Sequence, residues 1–95
     1  MRKPRFELKL FLTGATARSR RALENIRRFC DSELPGNYDL EVIDIYQQPA
    51  MAGRNQIFAA PTLIKTRPLP LRRLIGDMSD EQKVRVSLGL QSYGA

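Results

Sequence analysis

The 95-residue sequence has no histidine, no tryptophan and a single cysteine. Each absence removes a class of chemistry. Without histidine the chain lacks the commonest general base and a common metal ligand. One cysteine, Cys30, excludes an internal disulfide, a C-x-x-C redox pair and a two-cysteine zinc half-site. No apolar run approaches the ~20 residues that span a bilayer. There is no low-complexity tract and no internal repeat. The opening MRKPRFELKLFL is basic and then apolar, in the manner of a signal peptide. Glu7 and Lys9 interrupt its apolar part, and the alternation is that of a strand. These features predict one domain over residues 1–95, cytoplasmic, with one modest core.

Acidic residues are outnumbered. The net charge is +6, and arginine supplies most of the basic residues. Such a surface suits an acidic partner, either nucleic acid or the acidic face of a protein. The sequence lacks aromatics interleaved on a sheet face, and it has no zinc-finger or RNP1-like pattern, so nucleic acid is not expected. No membrane association is expected either.

What is present is an alternation of strand and helix signals. In FELKLFL, residues 6–12, Phe6, Leu8, Leu10 and Leu12 share one face of a strand. Thr13-Gly14 breaks it. From Ser19 the period changes, and Ala22, Leu23, Ile26, Phe29 and Cys30 form one helical stripe. Thr16 or Ser19 can cap this helix, and Leu34-Pro35-Gly36-Asn37 ends it. YDLEVIDIY, residues 38–46, carries a near-continuous apolar run, which predicts a second strand buried on both faces. Strand, helix and strand imply a right-handed βαβ unit with parallel strands. Pro49 opens a short helix predicted to run to about Ile57, weakened at Gly53.

Residues 62–66 and 71–75 read as two antiparallel strands joined by Arg67-Pro68-Leu69-Pro70. Ser79 and Gln82 then make an S-x-x-Q capping box for a last helix. The predicted order is βαβαββα, an α/β sheet with helices on both faces. The last segment carries a conflict. KVRVSLGL places Val84, Val86, Leu88 and Leu90 at period two, a strand pattern behind helix-start signals. Gly89 weakens helix and strand alike.

No catalytic constellation, metal site or cofactor motif is visible. Thr13-Gly14-Ala15-Thr16 lies where a phosphate loop would sit but lacks the required glycines. Asp77, Asp80 and Glu81 read as favourable charge at a helix start. Cys30 reads as a buried, inert thiol on an apolar stripe.

Two resemblances extend this reading. The order βαβαββα, with Ala60-Pro61-Thr62 entering the third strand and Gly76-Asp77 after the fourth, resembles the thioredoxin fold. That resemblance implies a cis peptide bond before Pro61. The place of the redox motif reads TGATARS, without cysteine, so thioredoxin chemistry is not carried over. A redox protein using Cys30 is the alternative to the reading that follows.

LKLFLTG at 8–14, RAL at 21–23, LEVIDIY at 40–46, APTLIK at 60–65, PLPLRRLIGDMSD at 68–80 and KV at 83–84 together resemble the KaiB family over nearly the whole chain. The resemblance implies a non-enzymatic clock module that binds the KaiC hexamer, an ATPase ring, and regulates the timing of its phosphorylation and dephosphorylation. It competes with or recruits further partners, KaiA or a histidine kinase among them. It implies two folds, one thioredoxin-like and competent for KaiC, the other a ground state of order βαββααβ that self-associates to a dimer or tetramer. Arg21, Lys65, Arg72 and Arg73 match basic residues of the family's KaiC-docking surface. Pro61, Pro68 and Pro70 match the segment that changes structure. Pro61 would be cis at the mouth of a strand in one fold and trans at a helix start in the other. Ser87 and Gly89 stand where clock-running members carry glycine and aspartate, and Glu41 and Gln56 where they carry lysine. The sequence ends at Gln91–Ala95 without those members' acidic tail. These departures imply a simpler KaiB–KaiC timing or stress system at least as readily as a full oscillator.

Overall fold

The computed structural model describes residues 5–90; the N-terminal Met1–Pro4 and the final segment Gln91–Ala95 lie outside the described residues. Seven elements follow in chain order: β1 (Phe6–Leu12), α1 (Ala17–Glu33), β2 (Tyr38–Asp44), α2 (Pro49–Arg54), β3 (Thr62–Arg67), β4 (Arg72–Ile75) and α3 (Glu81–Ser87). This is the predicted order βαβαββα. The sheet order is β2-β1-β3-β4, with β2 parallel to β1 and the other pairings antiparallel.

The alternation of β1 divides the core into two layers. Phe6, Leu8, Leu10 and Leu12 face α1 and α3, where they meet Ala22, Ile26, Phe29, Cys30, Val84 and Leu88, with Leu63 of β3 beside them. Phe11 faces the other way and packs with Ile43 and Ile64 beneath Met51 and Ile57, from α2 and the loop after it. Leu10 and Phe11 are adjacent, on opposite faces, and both are fully buried. Arg85 of α3 lies 5.3 Å over the Phe29 ring and pairs with Glu33, so the two helices on that face also touch at their margins.

Four expectations need correction. The first concerns β2, which is an edge strand rather than a strand covered on both faces. Ile43 is buried, yet Val42 is 37% exposed and Glu41 is exposed. With β1 and β3 in the middle of the sheet, β2 has one neighbour, and its apolar run is only half used. Second, the start of α3 is not a Ser79–Gln82 box. Asp80 is the N-cap, and its carboxylate accepts from the Lys83 N–H at 3.2 Å. Ser79 instead donates its N–H to Asp77 at 3.0 Å, a turn just before the helix. A carboxylate adds charge attraction to the helix start, which a hydroxyl lacks.

The third correction concerns Gly89, which does not weaken the helix. It sits one position past the C-cap Leu88 with φ +74°. Its N–H donates to the Val86 carbonyl and the Leu90 N–H to that of Arg85, the paired bonds of a Schellman ending. Glycine is favoured there because the left-handed conformation costs it nothing. Fourth, α2 ends at Arg54 rather than near Ile57. Gln56 takes φ 55°, and Gln56 and Ile57 donate to the carbonyls of Gly53 and Ala52. At the start of α1, Thr16 is the cap, accepting from the Ser19 N–H at 3.1 Å.

The capping assignment is testable in urea. Asp80→Ala is expected to lower stability by about 1 kcal/mol. Ser79→Ala, a surface change outside the cap, should stay within about 0.5 kcal/mol of the parent. The reverse ranking of unfolding midpoints would restore Ser79 as the cap.

Candidate functional site

The β3–β4 hairpin and the loop that precedes it gather most of the residues singled out by sequence. The Ala60–Pro61, Arg67–Pro68 and Leu69–Pro70 peptide bonds are cis. Pro61 stands just before β3, and its carbonyl accepts from the Gly76 N–H at 3.0 Å, closing the open end of the hairpin. Pro68-Leu69-Pro70 forms the turn at the other end. Prolines thus bracket the pairing of β3 with β4 without removing a donor from within it.

β4 is the outer strand, and Arg72 and Arg73 are both exposed. Their side chains leave opposite faces of the sheet. Arg73 lies opposite Ile64 and turns toward α2. Its guanidinium donates to the Gln56 carbonyl at 2.9 Å and the Asn55 carbonyl at 2.6 Å. Those carbonyls follow the C-terminus of α2, the partially negative end of a helix, so the cation is well placed. Arg72 lies opposite Lys65 on the α3 side.

Lys65 is not on the surface. It is only 3% exposed, and burial together with the nearby charge of Arg72 pulls its ammonium below the usual lysine range. A Cβ added at Gly89 would stand 3.7 Å from its Nζ, so the lysine reaches the end of α3. Arg21 is exposed on α1, 3.8 Å from Asp77. Asp77 is held below the usual carboxylate range chiefly by hydrogen bonds from Ser79, with Arg21 adding to the effect. Arg21 and Asp77 both line an open groove of about 400 Å³, together with Arg18, Leu74, Asp80 and Lys83. Arg72 and Arg73 therefore share one sheet edge, and Arg21 pairs with the loop that follows it. Ser87 and Gly89 mark the end of α3.

Sequence reasoning missed an apolar component beside these cations. Phe58 is 94% exposed and Ile75 is 62% exposed. With Ile57, Thr62 and Arg73 they line a shallow cavity of about 300 Å³. The available signal was the short helix followed by Ile57-Phe58-Ala59-Ala60, an aromatic in a loop with no partner stripe. Leu69 and Leu71 are also exposed, at the turn end of the hairpin.

Cys30 lies inside α1, fully buried within the larger core. Burial, with Asp31 adding to it, pushes its thiol up from 9.0 to about 12. At the start of α1 the polar groups are engaged locally. The Thr13 N–H and the Thr16 hydroxyl donate to the Ser19 hydroxyl, and the Gly14 N–H donates to Asp44. Among the described residues no group of three or more His, Cys, Asp or Glu side chains could hold a metal ion. Among the same residues no helix is long and apolar enough to cross a membrane.

A family model described as the KaiB domain matches residues 9–90. The chain belongs to the KaiB family. It is 43% identical over 90 residues to circadian clock protein KaiB3 of Synechocystis sp., covering 95% of this chain and 88% of that protein. It is 47% identical over 83 residues to circadian clock oscillator protein KaiB of Prochlorococcus marinus, covering 87% and 79%. Among solved structures, the N-terminal domain of Synechococcus elongatus SasA superposes with a TM-score of 0.74 at 20% identity, over 100% of this chain and 92% of that one. Mitochondrial thioredoxin 3 of Saccharomyces cerevisiae superposes with a TM-score of 0.71 at 12% identity, over 88% and 76%. The fold of this KaiB chain is thus thioredoxin-like, as its element order predicts. The buried Cys30 gives the redox alternative no support.

The thiol provides a direct check. Cys30 should react with a disulfide reagent at pH 8 only as fast as the protein unfolds, because the thiolate is the reactive form. Its raised pKa stabilises the fold fully below the unfolded value near 9, and that contribution is lost as pH rises toward 12. Rapid modification of the folded protein at neutral pH would revive the redox reading.

Proposed function

We propose that this KaiB-family protein is a cytoplasmic, non-enzymatic regulator that docks on the KaiC hexamer and times its phosphorylation and dephosphorylation. The observation that carries the reading is the basic edge of β4, with Arg72 and Arg73 beside exposed Phe58 and Ile75. It lies within and next to the block PLPLRRLIGDMSD that resembles the family. Apolar contact surface supplies affinity, and flanking cations supply encounter rate and register. Arg21 adds a cation at the groove. Lys65 is buried, so in this fold it presents no surface charge to a partner. KaiA or a histidine kinase are further partners on this reading. Glu41 and Gln56, where clock-running members carry lysine, fit a simpler KaiB–KaiC system at least as readily as a full oscillator.

Interferometry with KaiC from the same genome, under hydrolysable ATP, tests the proposal. Association is expected over hours of incubation. Arg72→Glu should slow it about tenfold, since an exposed rim charge acts mainly on the on-rate. No association after hours with the parent protein would overturn the reading.

We also infer a second fold of order βαββααβ, populated in a self-associated state. What supports it is α3 itself. Val84, Val86, Leu88 and Leu90 keep a strand period within and just after a helix, and Val86 is left 65% exposed. Local preference and adopted structure disagree there. Amide spectra should contain two slowly exchanging sets of signals, with a ratio that depends on protein concentration. One set at every concentration would rule the second fold out.

A further inference from the structure

β4 ends the sheet, and its outer side has no neighbouring strand among the described residues. The direction of its backbone groups follows from the register. Gly76 donates its N–H to Pro61 across the hairpin, and the paired positions then recur in twos at Leu74 and Arg72. Arg73 and Ile75 therefore turn their N–H and C=O groups outward. Natural edges are commonly protected by prolines, bulges, covering loops or charged side chains, and on β4 Arg72 and Arg73 repel any edge that is not acidic. Here prolines precede the strand, but Arg72 to Ile75 themselves contain none.

The side chains along this edge are arranged in blocks. Arg72 and Arg73 come first, then Leu74 and Ile75. Neither arginine has a carboxylate partner among the described residues, where the ion pairs involve Arg5, Arg21, Arg67 and Arg85. Phe58, beside Ile75, leaves an apolar cavity open on the α2 face. Two cations without a carboxylate partner, Arg73 of them held by backbone carbonyls, are followed by two apolar positions on a ladder with unused donors and acceptors, and together these define the occupant.

We propose that β4 accepts an extended acidic segment of a partner protein as a fifth, antiparallel strand. Its sequence would run from two apolar residues, opposite Ile75 and Leu74, to two acidic residues, opposite Arg73 and Arg72. The backbone bonds provide affinity, and the charge blocks fix direction and register. A bulky apolar residue opposite Ile75 enters the Phe58 cavity. The inference deepens the docking role proposed above and rests on that surface being the one used.

The probe is a capped hexapeptide, threonine-isoleucine-valine-glutamate-glutamate-threonine, titrated into the ¹⁵N-labelled protein. The amides of Arg73 and Ile75 should shift most, with a dissociation constant on the order of 1 mM, fitting for so short a strand. Arg72→Glu should weaken binding at least tenfold, and so should replacing the glutamates by lysines. N-methylation of the isoleucine and the first glutamate, whose N–H groups face β4, should abolish binding. N-methylation of the valine and the second glutamate should leave it within a few-fold. Equal binding by all methylated peptides overturns strand addition, as does the absence of shifts at several millimolar. Concentration-dependent shifts of the same two amides without peptide would assign the edge to a second copy of this chain and also overturn the proposal. KaiC association by the parent protein without peptide binding rejects only the strand; peptide binding without KaiC association rejects only the choice of partner.

Discussion

The structure depends on the double-sided burial of β1. Leu10 and Phe11 are neighbours in sequence, face opposite ways and are both shut off from water. Burying side chains of this size is worth about 1.5–3 kcal/mol each. Because they point apart, neither helix layer suffices alone. α1 and α3 must cover Leu10, while α2 and the loop after it must cover Phe11. β2 and β3 are then fixed on either side of β1 by the ladder. The candidate functional residues hang on this frame through β3, β4 beyond it, the loops around that hairpin and the helices packed on the sheet.

The chemistry of the site follows from where this arrangement stops covering the sheet. α2 has six residues and is followed by a left-handed Gln56, so its layer is short. Arg73 closes the gap electrostatically by holding the carbonyls of Asn55 and Gln56. Phe58 and Ile75 are left without cover. The same residue thus secures the end of α2 and contributes to the surface charge of β4. A docking partner at this edge would meet a cation already oriented by backbone carbonyls, which reduces the side-chain entropy lost on binding.

The element order was legible because the hydrophobic period changes cleanly. Period two in FELKLFL and a helical stripe from Ala22 to Cys30 admit few alternatives. The thiol of Cys30 was legible for the same reason, since its place on the stripe decides its burial. Other features depended on tertiary partners that a local pattern does not encode. The apolar run of β2 reads the same for a central or an edge strand. Asp80 and Ser79 are adjacent capping candidates, and the Asp77 turn decides between them. Gly89 reads as a weak point until the helix is known to end at Ser87, two residues earlier. Lys65 reads as a surface cation because nothing in APTLIK says that α3 will lie over it. Phe58 follows from the shortness of α2, which the proline and glycine around it only suggest.

The lysine beneath α3 gives that helix an unusual attachment. Its apolar anchors are Val84 and Leu88, while the surface they close over includes an ammonium group disfavoured by burial. Lifting α3 exposes the two side chains to water, at a cost, but it also rehydrates Lys65, which offsets part of that cost. α3 is therefore held less firmly than its apolar area implies. At α3 the burial of Val84 and Leu88 thus works against the burial of one charge.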